Sequence, residues 1–184
     1  MVIFRFAKEQ MNPAKDTIRI LGVDTALRTT GYGIVDFDGR KFSIVDCGVI
    51  KTPQKEPVSE CLRRLAGGMR ELVETYAPDE ASIEMAFCSK NYRTAMLLGS
   101  ARGAVICTIA NYNLPIYEYA PTKAKLAVTG SGGASKQQVA ALIAQMTGIN
   151  TAEILLDATD ALALAICHTH TLTNLQGLTK PKRI

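Results

Sequence analysis

The sequence predicts a single α/β domain with a mixed five-stranded sheet flanked by helices, and three observations lead to this fold class. Its 184 residues, of which 47% are hydrophobic and 21% charged, suit one globular domain with a buried core. Three strand-like segments follow one another through short connections early in the chain, as in an antiparallel meander. Helical and strand-like segments then alternate, as they do where helices connect parallel strands.

The meander is predicted from runs of β-branched and aromatic residues, whose bounds are 17–24, 31–37 and 42–50. Asp38-Gly39 separates the second run from the third and is a dipeptide favoured in hairpin turns. Residues 1–16 show no clear periodicity. We therefore expect an N-terminal extension outside the fold, followed by the meander.

The rest of the domain alternates between the two periodicities. Apolar residues three and four apart predict a helix over 57–76, which Pro78 ends. The elements predicted after it are a strand at 81–84, a helix at 92–112, a strand at 115–119, a helix at 121–128, a Gly/Ser loop at 129–134, a helix at 135–147 and a last helix at 152–170. The domain thus spans 17–171, and 172–184 is predicted to be a loose basic tail.

Composition narrows the class of protein without naming a function. No apolar run approaches the ~20 residues of a membrane-spanning helix, and no signal peptide is recognisable at the start, so we expect a cytoplasmic protein. Five scattered cysteines without a C-x-x-C pair argue against a disulfide framework and a zinc knuckle. The net charge of +4 allows a polyanionic partner without demanding one.

Four acids lie where acids are costly. Asp24 and Glu84 each end a strand, and neighbouring parallel strands place such ends side by side. Asp157 and Asp160 lie three residues apart in an otherwise apolar helix, on one face of it. A single acid at a strand end is more often a turn cap or an ion-pair partner than a ligand, but four together favour a site.

Clustered carboxylates repel one another unless cations neutralise them. Their hard oxygen atoms suit Mg²⁺, with Mn²⁺ as a substitute, better than zinc. Two such ions about 4 Å apart can activate water and stabilise the leaving oxygen in phosphodiester hydrolysis. The sequence therefore predicts a metal-dependent hydrolase with two ions in its active site.

Five ordered segments give the chain a more specific resemblance. They are I-L-G-V-D with T-G-Y-G six residues after the acid, I-E-M-A-F-C-S-K-N, L-L-G-S-A-R-G, V-T-G-S-G-G-A-S-K-Q-Q-V, and D-A-T-D-A-L-A-L-A-I-C-H-T-H. In these segments, from about residue 18 to 170, the chain resembles the RuvC family of Holliday junction resolvases.

The resemblance implies a ribonuclease-H-like fold and an endonuclease that cuts four-way DNA junctions, as a homodimer and beside a branch-migration helicase. It makes the four acids the catalytic, metal-binding residues. Phe87 then matches an aromatic that stacks on bases near the crossover, and Lys125 and Lys136 match basic residues near the scissile strand.

Other basic residues extend the predicted DNA-binding set to Lys90, Arg93 and Arg102, with Arg28 and Lys123 as weaker candidates. Scattered basic residues usually form a solvated surface, but several along one groove bind phosphates. The small residues of the predicted helix at 92–112 suggest a dimer interface there.

One departure from the family pattern leaves an alternative open. The family has Pro-Gly after its first acid, whereas this chain has Thr25-Ala26, and loss of the glycine can alter the turn. A non-catalytic or weakly active junction-binding protein is the alternative. A sugar-kinase-like or actin-like ATPase, which also carries Asp followed by T-x-G-x-G, needs two such lobes, and this sequence offers one.

Overall fold

The computed structural model describes residues 2–5, 17–85, 91–147, 155–173 and 182–184. Within these residues the chain forms one mixed sheet and five helices, so the predicted α/β class is confirmed. The strands are β1 (Val2–Arg5), β2 (Ile18–Asp24), β3 (Thr29–Phe37), β4 (Phe42–Lys51), β5 (Glu80–Glu84), β6 (Ile116–Tyr119) and β7 (Lys182–Arg183). The helices are α1 (Val58–Tyr76), α2 (Tyr92–Ala110), α3 (Pro121–Thr129), α4 (Lys136–Thr147) and α5 (Leu156–Thr173).

The sheet has the strand order β1-β4-β3-β2-β5-β6-β7. Strand β5 pairs in parallel with β2 and β6, and the other neighbours are antiparallel. The prediction of five strands was wrong by two, since β1 and β7 add to the edges of the predicted five. Both strands are short and pair through backbone hydrogen bonds. Such pairing does not require the alternation of apolar and polar side chains by which strands are predicted from sequence. The division of the chain at 16 and 172 stays a prediction.

Helices cover both faces of the sheet. On one face, α3, α4 and α5 pack on a core that includes Ile20, Val35 and Val49. On the other, α1 and α2 pack on a core that includes Leu21 and Ile83. Successive residues of a strand point to opposite faces, so Ile20 and Leu21 enter different cores.

Local signals fix most of the predicted boundaries. Gly39 has a φ of 88° in the turn between β3 and β4, where Asp38 accepts hydrogen bonds from two following backbone N–H groups. Ser135 caps α4, because its hydroxyl accepts from the Gln138 N–H while the Gln138 side chain accepts from the Ser135 N–H. The predicted start of the last helix, at 152, lies outside the described residues.

No helix in the described ranges combines the length and the apolar character needed to cross a bilayer.

Candidate active site

Asp24 and Glu84 are the last residues of the parallel neighbours β2 and β5. Val23 pairs with Ile83 in the register of these strands, so the two acids leave the sheet side by side. Both residues are partly buried. The structure therefore brings together the two strand acids that the sequence predicted to meet.

Two glycines let α5 lie directly against the sheet. A β-carbon on Gly31 would lie 1.9 Å from the backbone oxygen of Asp157, and one on Gly22 would lie 2.1 Å from that of Ala161. Real side chains cannot approach so closely, so only glycine fits at these positions. Gly31 also pairs with Asp24 across the sheet, which places the first turn of α5 beside the end of β2.

A cavity of about 200 Å³ opens where these elements meet. Three of the predicted acids line it, Asp24, Glu84 and Asp160, together with Lys125 from α3 and Lys136 from α4. Asp157 is not among the lining residues, although it is close enough for its charge to act on Lys136. The structure thus joins three of the four acids in one cavity and leaves the fourth at its margin.

The pKa of Asp24 shows how crowded these carboxylates are. Burial is the largest cause that raises this pKa, and the charges of Glu84 and Asp160 act in the same direction. A hydrogen bond between Asp24 and Glu84 also raises it, whereas Lys136 lowers it, and together these effects give a pKa of about 7. A carboxylate that burial and like charges disfavour gains most from a nearby cation.

Lys136 forms an ion pair with Asp160, although its side chain is 49% exposed. Burial opposes the charged form of Lys136, but the hydrogen bond and the negative charge of Asp160 leave its pKa raised. The sequence placed Lys136 next to DNA, and the structure shows that its ammonium group also contacts a candidate metal ligand.

In the described part of the chain, no three Asp, Glu, His or Cys side chains are already gathered as a metal ion requires. Asp24 is hydrogen-bonded to Glu84, whereas Asp160 is paired with Lys136. The donors still fit a hard divalent cation, because three carboxylates share one cavity and Asp24 resists ionisation there. The hydrogen bond between Asp24 and Glu84 and the ammonium group of Lys136 reduce the repulsion among these carboxylates in part. A divalent cation would reduce it further.

The Thr25-Ala26 turn, which departs from the family pattern, is unstrained at Ala26. The Ala26 N–H donates to the Thr30 hydroxyl at 3.2 Å, and that hydroxyl donates to the Ala26 carbonyl at 2.5 Å. Among the described residues other than glycine, only Ala77 and Asn113 have a positive φ. Ala26 therefore needs none of the conformational freedom of the glycine that it replaces.

The predicted DNA-binding residues fall into different settings. Lys125 and Lys136 line the cavity, and Arg93 is exposed at the start of α2. Arg102 is instead mostly buried, and its guanidinium group donates to the Glu84 carbonyl and to Glu118. This pairing argues against a contact between Arg102 and DNA phosphate. Phe87 and Lys90 lie outside the described residues.

The weaker basic candidates have structural partners. Arg28 donates to the carbonyls of Pro53 and Glu56, at 2.5 and 3.1 Å, and so holds the segment before α1. The Lys123 ammonium lies 5.3 Å from the centre of the Tyr119 ring, within reach of a cation–π interaction. These contacts account for both residues without DNA.

His168 is fully buried, as expected for a structural histidine. Its Nδ1 lies 2.5 Å from the Tyr119 hydroxyl, and its Nε2 lies 2.5 Å from Glu80. Sequence reasoning missed Glu118, which binds Arg102 beside the site. The available signal was an acid between two tyrosines in the strand I-Y-E-Y, where an unpaired charge would be costly.

The chain is similar to known proteins in sequence and in structure. Residues 20–168 match the family model described as crossover junction endodeoxyribonuclease RuvC. Proteins of that name are similar to this chain. The one from Chloroflexus aggregans is 42% identical over 159 residues, 86% of this chain and 97% of the relative. The one from Ralstonia pickettii is 43% identical over 164 residues, 88% of this chain and 90% of the relative.

A solved structure, that of T. thermophilus RuvC in complex with Holliday junction substrate, aligns with a TM-score of 0.81 at 27% identity. The alignment covers 91% of this chain and 99% of that one. The family model and the two relatives each cover most of this chain. The chain therefore belongs to the RuvC family of crossover junction endodeoxyribonucleases, which are metal-dependent nucleases.

Proposed function

We propose that this chain resolves four-way DNA junctions in recombination and repair by metal-dependent hydrolysis of phosphodiester bonds. One observation carries the proposal: carboxylates from β2, β5 and α5 line one cavity together with two lysines. Carboxylates of this kind bind the hard cations of phosphoryl chemistry, and lysines bind phosphate. The relatives named as junction endonucleases make branched DNA the expected substrate.

Mg²⁺ is the proposed cofactor, with Mn²⁺ as a substitute and two ions in each active site. Asp24, Glu84 and Asp160 would hold these ions, and Asp157 would join them from the margin of the cavity. Bound ions of this type lower the pKa of water and balance the charge that develops on the phosphate. The 5′-phosphate and 3′-hydroxyl products implied by the family resemblance are part of the proposal.

The side chains of the cavity have separate tasks in this scheme. Asp24 is buried enough to hold a proton near neutral pH until a cation balances its charge. Lys125 lines the cavity from α3 and would contact the phosphate backbone of the cleaved strand. Lys136 would exchange its ion pair with Asp160 for a phosphate oxygen when the site is loaded.

The wider DNA-binding surface remains a proposal built on the sequence. Arg93 lies exposed next to the segment that contains Phe87 and Lys90, and this grouping suits unpaired bases and the backbone at a crossover. Arg102 leaves the proposed DNA-binding set because its guanidinium group already binds Glu118 and the Glu84 carbonyl.

A homodimer would place two such sites on symmetrically related strands. Helix α2 supports this proposal, because Tyr92 and Met96 are 80% and 69% exposed on it, and Gly99 and Gly103 leave room for close packing. Sedimentation equilibrium is the direct check of the assembly. Cooperation with a branch-migration helicase and a cytoplasmic location complete the proposal.

A synthetic four-way junction, incubated with the protein with and without Mg²⁺, tests the proposed function. We expect paired, symmetrical cuts only when Mg²⁺ is present, and no cutting of a linear duplex of matched sequence. Binding of the junction without cutting at any Mg²⁺ or Mn²⁺ concentration would favour the non-catalytic alternative. The ordinary backbone of Ala26 gives that alternative no structural support.

A further inference from the structure

The side chain of Arg102 joins three elements behind the candidate active site. From α2, its Nη1 donates to the backbone carbonyl of Glu84, the last residue of β5. Its Nη2 donates to the carboxylate of Glu118, which lies on the neighbouring strand β6. The side chains of Arg102 and Glu118 are only 14% and 10% exposed, so this ion pair is largely shielded from water.

Arg102 and the Glu84 carboxylate lie on opposite sides of the sheet. Glu118 alternates with Tyr117 and Tyr119, whose rings contact His168 of α5, so Glu118 faces the α2 side. The carboxylate of Glu84 faces the cavity between α3 and α5. Arg102 therefore acts on Glu84 through its backbone and leaves the carboxylate oxygens for other partners.

The end of β5 is fixed from two directions. On the β6 side, the Met85 N–H donates to the Tyr119 carbonyl at 2.8 Å. On the α2 side, Arg102 binds the carbonyl of Glu84. The peptide that joins Glu84 to Met85 therefore has both its carbonyl and its N–H engaged, which restricts the direction in which the Glu84 side chain leaves the strand.

We propose that Arg102, held by Glu118, is a positioning residue that orients Glu84 for binding a divalent cation. The inference rests on the proposed function, in which Glu84 is a metal ligand, and assigns a task to two residues outside the cavity. Groups that orient a ligand in this way commonly change metal affinity or activity by about 10- to 100-fold when they are removed.

The terminal strand contributes to the same cluster at its rim. Lys182 of β7 lies 3.6 Å from the second carboxylate oxygen of Glu118, and its side chain is 71% exposed. An ion pair so open to water contributes little. We therefore expect Lys182→Ala to leave the metal affinity unchanged within about twofold. Such a result would show that Lys182 does not help to position Glu84.

The chain offers a matched control for Arg102. Arg19 also binds one carboxylate and one backbone carbonyl, those of Asp36 and Tyr76. The Arg19 and Asp36 side chains are each 11% exposed, close to the values for the Arg102 pair. Arg19 lies at the opposite end of β2 from Asp24, about 17 Å along the strand. Its loss should destabilise the fold without touching the site.

The experiment compares Arg102→Met, Arg102→Lys and Arg19→Met with the unaltered protein. Thermal unfolding reports stability, Mn²⁺ titration by calorimetry reports metal affinity, and single-turnover cleavage of a saturating junction reports the rate. We expect both methionine variants to unfold at lower temperature. Only Arg102→Met should raise the Kd for Mn²⁺, by about 10- to 100-fold, with a slower cleavage rate. Arg102→Lys, which keeps a donor, should recover part of both.

Equal Mn²⁺ affinity and equal cleavage rates for folded Arg102→Met and Arg19→Met would overturn the inference while leaving the proposed function standing. Should Arg102→Met fail to fold, Glu118→Gln and Arg102→Lys decide in its place, and unaltered Mn²⁺ affinity in both would overturn the inference. An unaltered protein that neither binds Mn²⁺ nor cuts the junction would overturn the proposed function, and the inference with it.

Discussion

The two ends of strands β2 and β5 differ in how their charges are balanced. Where the strands begin, Arg19 donates to both carboxylate oxygens of Asp36 at 2.7 and 2.8 Å, and Glu80 contacts His168. Where they end, Asp24 shares a hydrogen bond with another carboxyl group and its pKa is raised to about 7.

This contrast distinguishes acids that stabilise the fold from acids that form the candidate active site. A buried acid with its own cation contributes a fixed contact to the fold. Buried acids that face one another are costly, and such strain is concentrated at functional sites. The end of the sheet with excess carboxylates is therefore where a cation has most to gain by binding.

The largest expected effect comes from Asp24→Asn, which removes one negative charge from the crowded end. Junction cleavage should fall by at least about 10³-fold, because the variant loses a carboxylate that would bind the divalent cations. Junction binding should stay within a few-fold, since it depends mainly on basic residues and DNA shape. Gel-shift and cleavage assays on one four-way junction measure both. Cleavage at the original rate would remove Asp24 from the mechanism.

A smaller effect is expected from Lys136→Met, which removes an ammonium group from the cavity that contains the clustered carboxylates. Asp160 then has no lysine to compete with a metal ion. A partly exposed ion pair contributes up to about 1 kcal/mol, so the Kd for Mn²⁺ should fall by about two- to fivefold. Cleavage should nevertheless become slower, since the phosphate loses a contact.

Lys125→Met is the control for that experiment, because Lys125 lines the same cavity without an ion pair to Asp160 among the described residues. Calorimetry with Mn²⁺ should show little change in its metal affinity. Weaker Mn²⁺ binding by Lys136→Met than by the unaltered protein would contradict the proposed competition between lysine and metal.

A further expected effect is a pH dependence of stability in metal-free buffer. The pKa of Asp24 is about 7 in the folded protein, against an ordinary value of 3.8 in the unfolded chain. Between these values the folded state holds the extra proton, so the contribution of Asp24 to stability falls as the pH rises from about 4 to 7. An asparagine side chain does not ionise, so the stability of Asp24→Asn does not fall in this way. This variant should therefore be more stable than the unaltered protein at pH 8.

Thermal unfolding in chelator at pH 5 and pH 8 measures this difference. A chain of this size shifts its Tm by about 2–4 °C for each kcal/mol, so the variant is expected to unfold at a clearly higher temperature than the unaltered protein at pH 8. Parallel Tm curves for the two proteins across this pH range would show that Asp24 ionises normally.

The comparison also shows what the sequence could predict. Element types and most boundaries followed from hydrophobic periodicity, from the helix cap at Ser135 and from the turn glycine Gly39, because these signals act over a few residues. The meeting of Asp24 with Glu84 followed from strand order alone. Edge strands β1 and β7 escaped prediction, because backbone pairing at a sheet edge leaves little trace in side chains.

Partners distant in sequence could not be predicted. Nothing local distinguishes Arg102, which binds Glu118 behind the site, from Arg93, which is exposed on the same helix. The ion pair between Lys136 and Asp160 likewise depends on how α4 packs against α5. A basic residue near a catalytic motif can therefore serve the protein rather than the DNA, and only the fold shows which.

The most direct test of the central claim is a calorimetric titration of Mn²⁺ into four metal-free proteins. These are the unaltered chain, Asp24→Asn, Glu84→Gln and, from the balanced end of the sheet, Asp36→Asn. We predict saturable binding by the unaltered chain and by folded Asp36→Asn, and at least about tenfold weaker binding by the other two variants. Equal Mn²⁺ affinity in all four proteins would contradict the account, because the crowded carboxylates would then not be where the cation binds.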